Sequence, residues 1–338
     1  MEAPESAATF RTAIARSRSI ACLSGSMDAY DVDEPFTRLF FLDVTDPEPW
    51  LADDYEFTVP SVCNWTEQPG GQSIFVALSE EGDVVFLSNP EVVVERIADA
   101  GVHHGQAKGY GYLSHIRQID KRLYACGFSG QVYRRNGRDD WVHIDAGILQ
   151  QPGMEDGEFF ASVINGPHER AIYVAGCDYV DGYPPHAEFW NGSRWTRLEL
   201  PVTAGRITDI HVESEERIVM CGDNGTLLVG NARDGFSTMG PLGATHLFYS
   251  VTKFADLYYL ASNLGLYQFN PKAATRVFRK VRSRLKPEIY DANVVQAVDD
   301  VLWSMGGKDI VRFDGKKWER FEHPDNLSIS ELDEPDDE

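Results

Sequence analysis

The chain has 338 residues and a mass of 37.9 kDa, with 43% apolar, 12% aromatic and 25% charged side chains, the balance of a globular protein that can bury a large core. Its 53 acidic and 31 basic residues leave a formal net charge of −22, which argues against a nucleic-acid binder and suits either solubility or a basic partner. No apolar run approaches the ~18 residues of a membrane span, and the start of the chain lacks the apolar core of a secretory signal, so no membrane contact is expected.

Read in chain order, residues 9–57 give three strands, "TFRTAIA", "RSIACLSG" and "TRLFFLDV", and a fourth, "DYEFTV"; the first piece also fits a short N-terminal helix. Residues 60–97 are a clearer copy of the same pattern. The cleanest is 113–145. There "LSHIRQID" alternates as a half-buried strand, "RLYACGFSG" runs into a glycine turn, "QVYRRNG" ends on Asn-Gly, and "WVHID" closes the unit. Further copies occupy 158–199, 206–239, 246–281 and 289–323. Their apolar pairs, from Ile74-Phe75 to Val301-Leu302, recur every 39–49 residues. Trp141, Trp195 and Trp318 each begin an outer strand after a turn, where an aromatic can cover the joint between neighbouring sheets; Phe236 takes that place in 206–239.

Four short antiparallel strands at this period are the signature of a β-propeller, because one such sheet cannot bury both faces alone. The expectation is an all-β fold, a β-propeller of seven four-stranded blades within residues 1–325, or six if the first 57 residues form something else. The tail 326–338 carries six acidic and no basic residues and is expected to be disordered.

The segment 172–200, "IYVAGCDYVDGYPPHAEFWNGSRWTRLEL", resembles a kelch repeat, with Gly176-Cys177 where Gly-Gly is usual. "FDGKKW" (313–318) resembles a degraded Asp-box of the sialidase-like or photosystem-assembly-factor-like propellers. No W-D or G-H pairs occur. These likenesses imply the fold and not an activity. An acidic, divergent propeller of this size also resembles bacterial immunity proteins that neutralise secreted toxins, including some of type VI secretion systems.

No set of residues reads as catalytic. His103-His104 sits in the glycine-rich "GVHHGQAKGYGY", where neighbouring side chains diverge, so it reads as a linker between blades. His186, His211 and His246 have no partner at metal-ligand spacing, and neither a metal nor a cofactor is expected. There is no G-x-S-x-G and no phosphate loop, and the arginines of a sialidase site cannot be assembled from spacing. The five cysteines are odd in number, lack C-x-x-C spacing and mostly sit in apolar runs, which reads as buried free thiols of a reducing, cytoplasmic protein.

Partner contact is expected on the face that carries the loops between second and third strands and the links between blades. The loop "SGSMDAYDVDEPF" (24–36) offers Asp28, Tyr30, Asp31, Asp33 and Glu34. "CDYVDGYPPH" (177–186) offers Asp178, Tyr179, Asp181 and Tyr183, and the link "QQPGMEDGE" (150–158) adds Met154, Glu155 and Asp156. Tyrosines interleaved with carboxylates suit a basic protein surface, with area from the rings and steering from the charges. Residues 25–60 hold ten acidic groups and only Arg38, whereas "TRVFRKVRSRLK" (275–286) holds six basic ones; that stretch is an outer strand, a partner for the acidic tail, or an anion contact. The expected function is non-enzymatic binding of a basic protein, most concretely neutralisation of a cognate secreted toxin such as a nuclease. A carbohydrate-active lyase-like or sialidase-like propeller and a general scaffold stand as alternatives.

Overall fold

The structure, a computed structural model, describes residues 7–31, 34–66, 71–88, 91–152, 158–241 and 243–332. It contains seven four-stranded antiparallel sheets, each built from strands consecutive in the chain, and its architecture is a seven-bladed β-propeller. The contacts divide it into two units. One is Met1–Thr58 with Tyr249–Glu338, and the other is Val59–Phe248.

The second unit holds four blades. Blade 2 is Ser61–Trp65, Ile74–Leu78, Asp83–Leu87 and Val93–Arg96. Blade 3 is Leu113–Ile119, Arg122–Gly127, Val132–Gly137 and Asp140–His143. Blade 4 is Glu158–His168, Ala171–Tyr179, Pro185–Trp190 and Trp195–Arg197, and blade 5 is Ile207–Ser214, Arg217–Gly222, Leu227–Asn231 and Gly235–Thr238. Burial falls from the second strand outward. Ala171–Cys177 is buried without a break because both faces of a central strand are covered, which is why such strands read as continuous apolar runs. Trp195–Arg197 keeps only its tryptophan inside.

The glycine that follows the apolar pair in blades 3, 4 and 5 has a specific cause. In blades 3, 4 and 5 the first strand carries one extra residue, Ser114, Ser162 and Thr208, as a β-bulge opposite Gly127, Gly176 and Gly222. A Cβ on these glycines would stand 2.3, 1.8 and 2.1 Å from the carbonyl oxygens of Tyr112, Phe160 and Arg206, so the bulge excludes any other residue there. The bulge also aims a hydroxyl at the next sheet. Ser114 donates to Ala161 O at 2.5 Å and Ser162 to Ile207 O at 2.6 Å. One local irregularity therefore stitches the inner strands together.

The outer tryptophans cover the joints between blades as expected. Trp195 donates from Nε1 to Ile144 O of blade 3 at 2.6 Å, and Trp141 donates to Glu95 of blade 2 at 2.9 Å. Gln118 adds a paired contact, accepting from Thr66 N and donating to Thr66 O, as a neighbouring strand would.

The first unit holds blade 1 (Ala8–Ala15, Ile20–Met27, Thr37–Asp43, Trp50–Tyr55), blade 6 (Phe248–Phe254, Leu257–Ser262, Gly265–Phe269, Arg279–Lys280) and blade 7 (Val294–Val298, Val301–Met305, Ile310–Phe313, Trp318–Arg320). Residues 8–15 form a strand, not a helix, and they pair with blade 7 through backbone and side chains. Phe10 N–H donates to Gly307 O at 2.8 Å, Gln296 brackets the peptide groups of Ala15, and Trp303 donates to Ser17 O. Blades 1 and 7 thus meet without exchanging a strand. The fourth strand of blade 1 is Trp50–Tyr55 and not "DYEFTV"; it begins on a tryptophan, as do those of blades 4 and 7.

The acidic tail was expected to be disordered from residue 326. Asn326 instead accepts from Ala8 N at 2.8 Å and donates to Ala8 O, and Ile329 is buried at the start of a single helical turn, Ile329–Leu332. The anchoring residues are the uncharged ones that open the tail. Residues 333–338 lie outside the described residues.

Candidate functional site

The two loops singled out in sequence belong to different units. In the first unit, the chain between Ile20–Met27 and Thr37–Asp43 carries Asp28, Tyr30, Asp31 and Glu34; Asp33 lies outside the described residues. Asp28 accepts from Thr9 Oγ1 at 2.7 Å and pairs with Lys308 Nζ, which also donates to Ala8 O. Its charge thus serves the seam between blades 1 and 7. Tyr30 packs edge-on against Phe36, with ring centroids 4.8 Å apart, and keeps much of its surface exposed. Asp31 and Glu34 are exposed.

In the second unit, the hairpin of blade 4 is longer in strand and shorter in loop than expected. Asp178 and Tyr179 end the second strand, the third begins at Pro185, and only residues 180–184 form the turn. Backbone bonds fix that turn: Asp178 N to Pro184 O at 3.0 Å, Tyr183 N to Val180 O at 2.9 Å, and Gly205 N, from the link into blade 5, to Gly182 O at 3.2 Å. Two positive-φ residues in succession, Gly182 at 82° and Tyr183 at 44°, turn the chain.

The charged groups at its base are already partnered. His186 presents Nδ1 to Asp178 Oδ1 and Nε2 to Glu188 Oε1, the latter at 3.1 Å, and its ring stacks on Phe159 at 3.5 Å. Arg197 reaches the other oxygen of Asp178 at 3.4 Å. Asp181 is exposed at the tip and makes no ion pair among the described residues. Met154, Glu155 and Asp156 lie outside the described residues. The neighbouring Glu158 accepts from Ser129 Oγ at 2.6 Å.

The tip exposes large side chains: Tyr179 at 55%, Val180 at 43% and Tyr183 at 48%. Tyr179 and Tyr183 meet edge to face with centroids 5.5 Å apart. Tyr179 also meets Phe128 at 6.1 Å, and Phe128 lies 4.4 Å from Phe160. Four aromatics from blades 3 and 4 therefore form one partly exposed ledge. Phe128 and Phe160 were not singled out from sequence. Their signal was the pair Phe159-Phe160 on an inner strand, where one ring must face away from the core.

Cys177, the thiol nearest His186 along the hairpin, is pushed up by burial to about 11, so it stays protonated at neutral pH. Among the described residues no three His, Cys, Asp or Glu side chains are grouped to hold a metal, and no helix is long and apolar enough to cross a membrane.

Blades, bulges and ledge together define a seven-bladed β-propeller that presents aromatics at a hairpin tip of blade 4. The chain belongs to the family of immune protein Tsi7 of Pseudomonas aeruginosa, to which it is 30% identical over 263 residues, covering 75% of this chain and 77% of that protein. No protein-family model matches it. Solved propellers share the fold at low identity. YCF48 bound to a D1 peptide matches with a TM-score of 0.61 at 12% identity, covering 93% of this chain and 94% of that one. Virginiamycin B lyase from Staphylococcus aureus matches with a TM-score of 0.59 at 6% identity, covering 89% and 93%.

Proposed function

We propose that this protein is an immunity protein that binds and neutralises a secreted bacterial toxin, without chemistry of its own. The observation that carries the reading is the 30% identity to an immune protein across three quarters of the chain. The partner we infer is basic, and a nuclease delivered by type VI secretion is its most concrete form. A nuclease needs a positive surface to hold phosphates, and a chain of net charge −22 with carboxylates beside exposed tyrosines complements such a surface. Five buried cysteines, all free, fit residence in the cytoplasm, where such a toxin would act. Neither nucleic acid nor membrane is needed as a partner in this reading.

The test is co-expression with a secreted toxin encoded beside this gene, or, where none is encoded there, with a toxin captured by pull-down on the purified chain. Growth is expected to be restored, and the purified pair to elute as a stoichiometric complex with the mass of the toxin unchanged. Growth arrest that persists with both proteins present would overturn the reading. A toxin altered in mass by catalytic amounts of the chain would replace binding with an enzymatic account.

A further inference from the structure

We propose that the aromatic ledge of blade 4 is the anchor of the partner contact, and that it receives an arginine of the basic partner between Tyr179, Tyr183 and Asp181. The inference rests on the immunity reading and specifies where and how the contact is made.

Three observations carry it. First, the ledge is large side chain in the wrong place for stability. Tyr179, Val180 and Tyr183 expose about half of their surface each at a loop tip, and Phe128 and Phe160 extend the apolar area across two blades. Second, Tyr183 is held at φ 44°, a left-handed conformation that a bulky residue adopts only under strain, next to Gly182 at 82°. An asparagine or glycine would turn the chain without that cost, so the ring is retained for something outside the fold. Third, the tip is preorganised. Its backbone is tied to its own strands and to Gly205, and its base is clamped by His186 between Asp178 and Glu188. A rigid aromatic anchor loses little entropy on binding.

The cation follows from the charges. Asp178 is committed to His186 and Arg197, and Glu158 accepts from Ser129, whereas Asp181 is exposed in the same turn, between Tyr179 and Tyr183 in sequence. A guanidinium can stack on a tyrosine face while donating to a carboxylate; a lysine does only one of these well.

The experiment measures affinity between the purified chain and the toxin domain from the co-expression assay. Tyr179→Ala and Tyr183→Asn are each expected to weaken binding about 30-fold or more. Tyr183→Asn should do so while melting no lower than wild type, since asparagine tolerates this backbone; a purely structural tyrosine would not separate the two readouts. Asp181→Asn should slow association about threefold or more at low salt, an effect that fades at high salt. In double-mutant cycles, one toxin arginine should couple to Tyr179. Wild type that protects and binds, with the tyrosine variants within about threefold of it, would overturn this inference and leave the immunity reading standing. Coupling to no arginine would overturn the cation assignment. Wild type that neither protects nor binds would overturn both.

Discussion

Arg135 holds Glu95 in a two-pronged ion pair between blades 3 and 2, with Nε to Oε2 at 2.8 Å and Nη2 to Oε1 at 2.6 Å, and the carboxylate is almost wholly buried. Trp141 donates to the same carboxylate, and the guanidinium lies 5.0 Å from the ring centre of Trp65 and 4.8 Å from that of Phe86. Removing one member strands the other charge in an apolar joint. Glu95→Ala or Arg135→Ala is expected to cost about 3–5 kcal/mol. The pair Glu95→Ala with Arg135→Ala should cost less than the two single losses added, because neither charge is then left behind. Chemical denaturation of the four proteins checks this, and strict additivity would contradict it.

The bulge and glycine of blade 4 make a second prediction. A Cβ on Gly176 would meet Phe160 O at 1.8 Å, inside any allowed contact, and backbone sits on both sides. Gly176→Ala should therefore cost about 3 kcal/mol or more, or prevent folding. Gly147 has a φ of 96° but nothing near its missing Cβ. Gly147→Ala should lose only about 1–2 kcal/mol, the backbone cost alone. Equal losses on melting would refute the steric account.

The same glycines explain why the fold was legible. A sheet that must bulge at its inner strand needs Gly opposite, so "ACGF", "VAGC" and "MCGD" follow the apolar pairs of blades 3, 4 and 5. The outer-strand tryptophans were legible because each caps a joint. The copy at Trp50 was hidden behind "TDPEP", whose prolines and acids look like a loop, and so the strand was placed four residues late. The loops were legible only by type. Spacing placed Tyr183 in a turn, but it did not show that Tyr179 ends a strand, or that Asp28 is engaged by Lys308, which is 280 residues away. Nor could spacing show that Asp178 belongs to His186 and Arg197. Side-chain pairings between strands, within a blade or across two, depend on packing that local pattern does not encode.

Acid sensitivity follows from His115. Burial, with the charge of Arg117 adding to it, pushes this group down to about 3. The geometry agrees, since Ile164 N–H points at Nδ1 from 3.4 Å and the ring must accept there. The unfolded chain binds a proton near its ordinary pKa of about 6.5 and the folded chain does not, so stability falls as pH drops from there toward 3, by up to about 1.4 kcal/mol per pH unit. His143 does not oppose this. Burial disfavours its charge, but Asp145 and Asp99 outweigh burial and raise it, so its contribution is complete below pH ~6.5 and is lost only as pH rises above that. His115→Gln should flatten the slope between about pH 6.5 and 4.5, above the range where most carboxylates titrate. Denaturation curves of both proteins at several pH values decide it; an unchanged slope would return the effect to His246 and His323, which burial also lowers.

The loop of blade 1 separates steering charge from structural charge. Glu34 is exposed, whereas Asp28 joins Lys308 and Thr9 across the seam with blade 7. If the partner is basic, Glu34→Lys should slow association about threefold or more at low salt and leave the melting temperature alone, because exposed charges act mainly on encounter. Raising salt to 1 M, where screening reaches about 3 Å, should erase the difference. Asp28→Lys should behave otherwise. It sets two ammonium groups against each other and removes the acceptor of Thr9, so about 1–2 kcal/mol of stability is expected to go. Stopped-flow association paired with thermal melts distinguishes the two residues. A melting loss in Glu34→Lys, or none in Asp28→Lys, would mean that the division of labour in this loop is wrong.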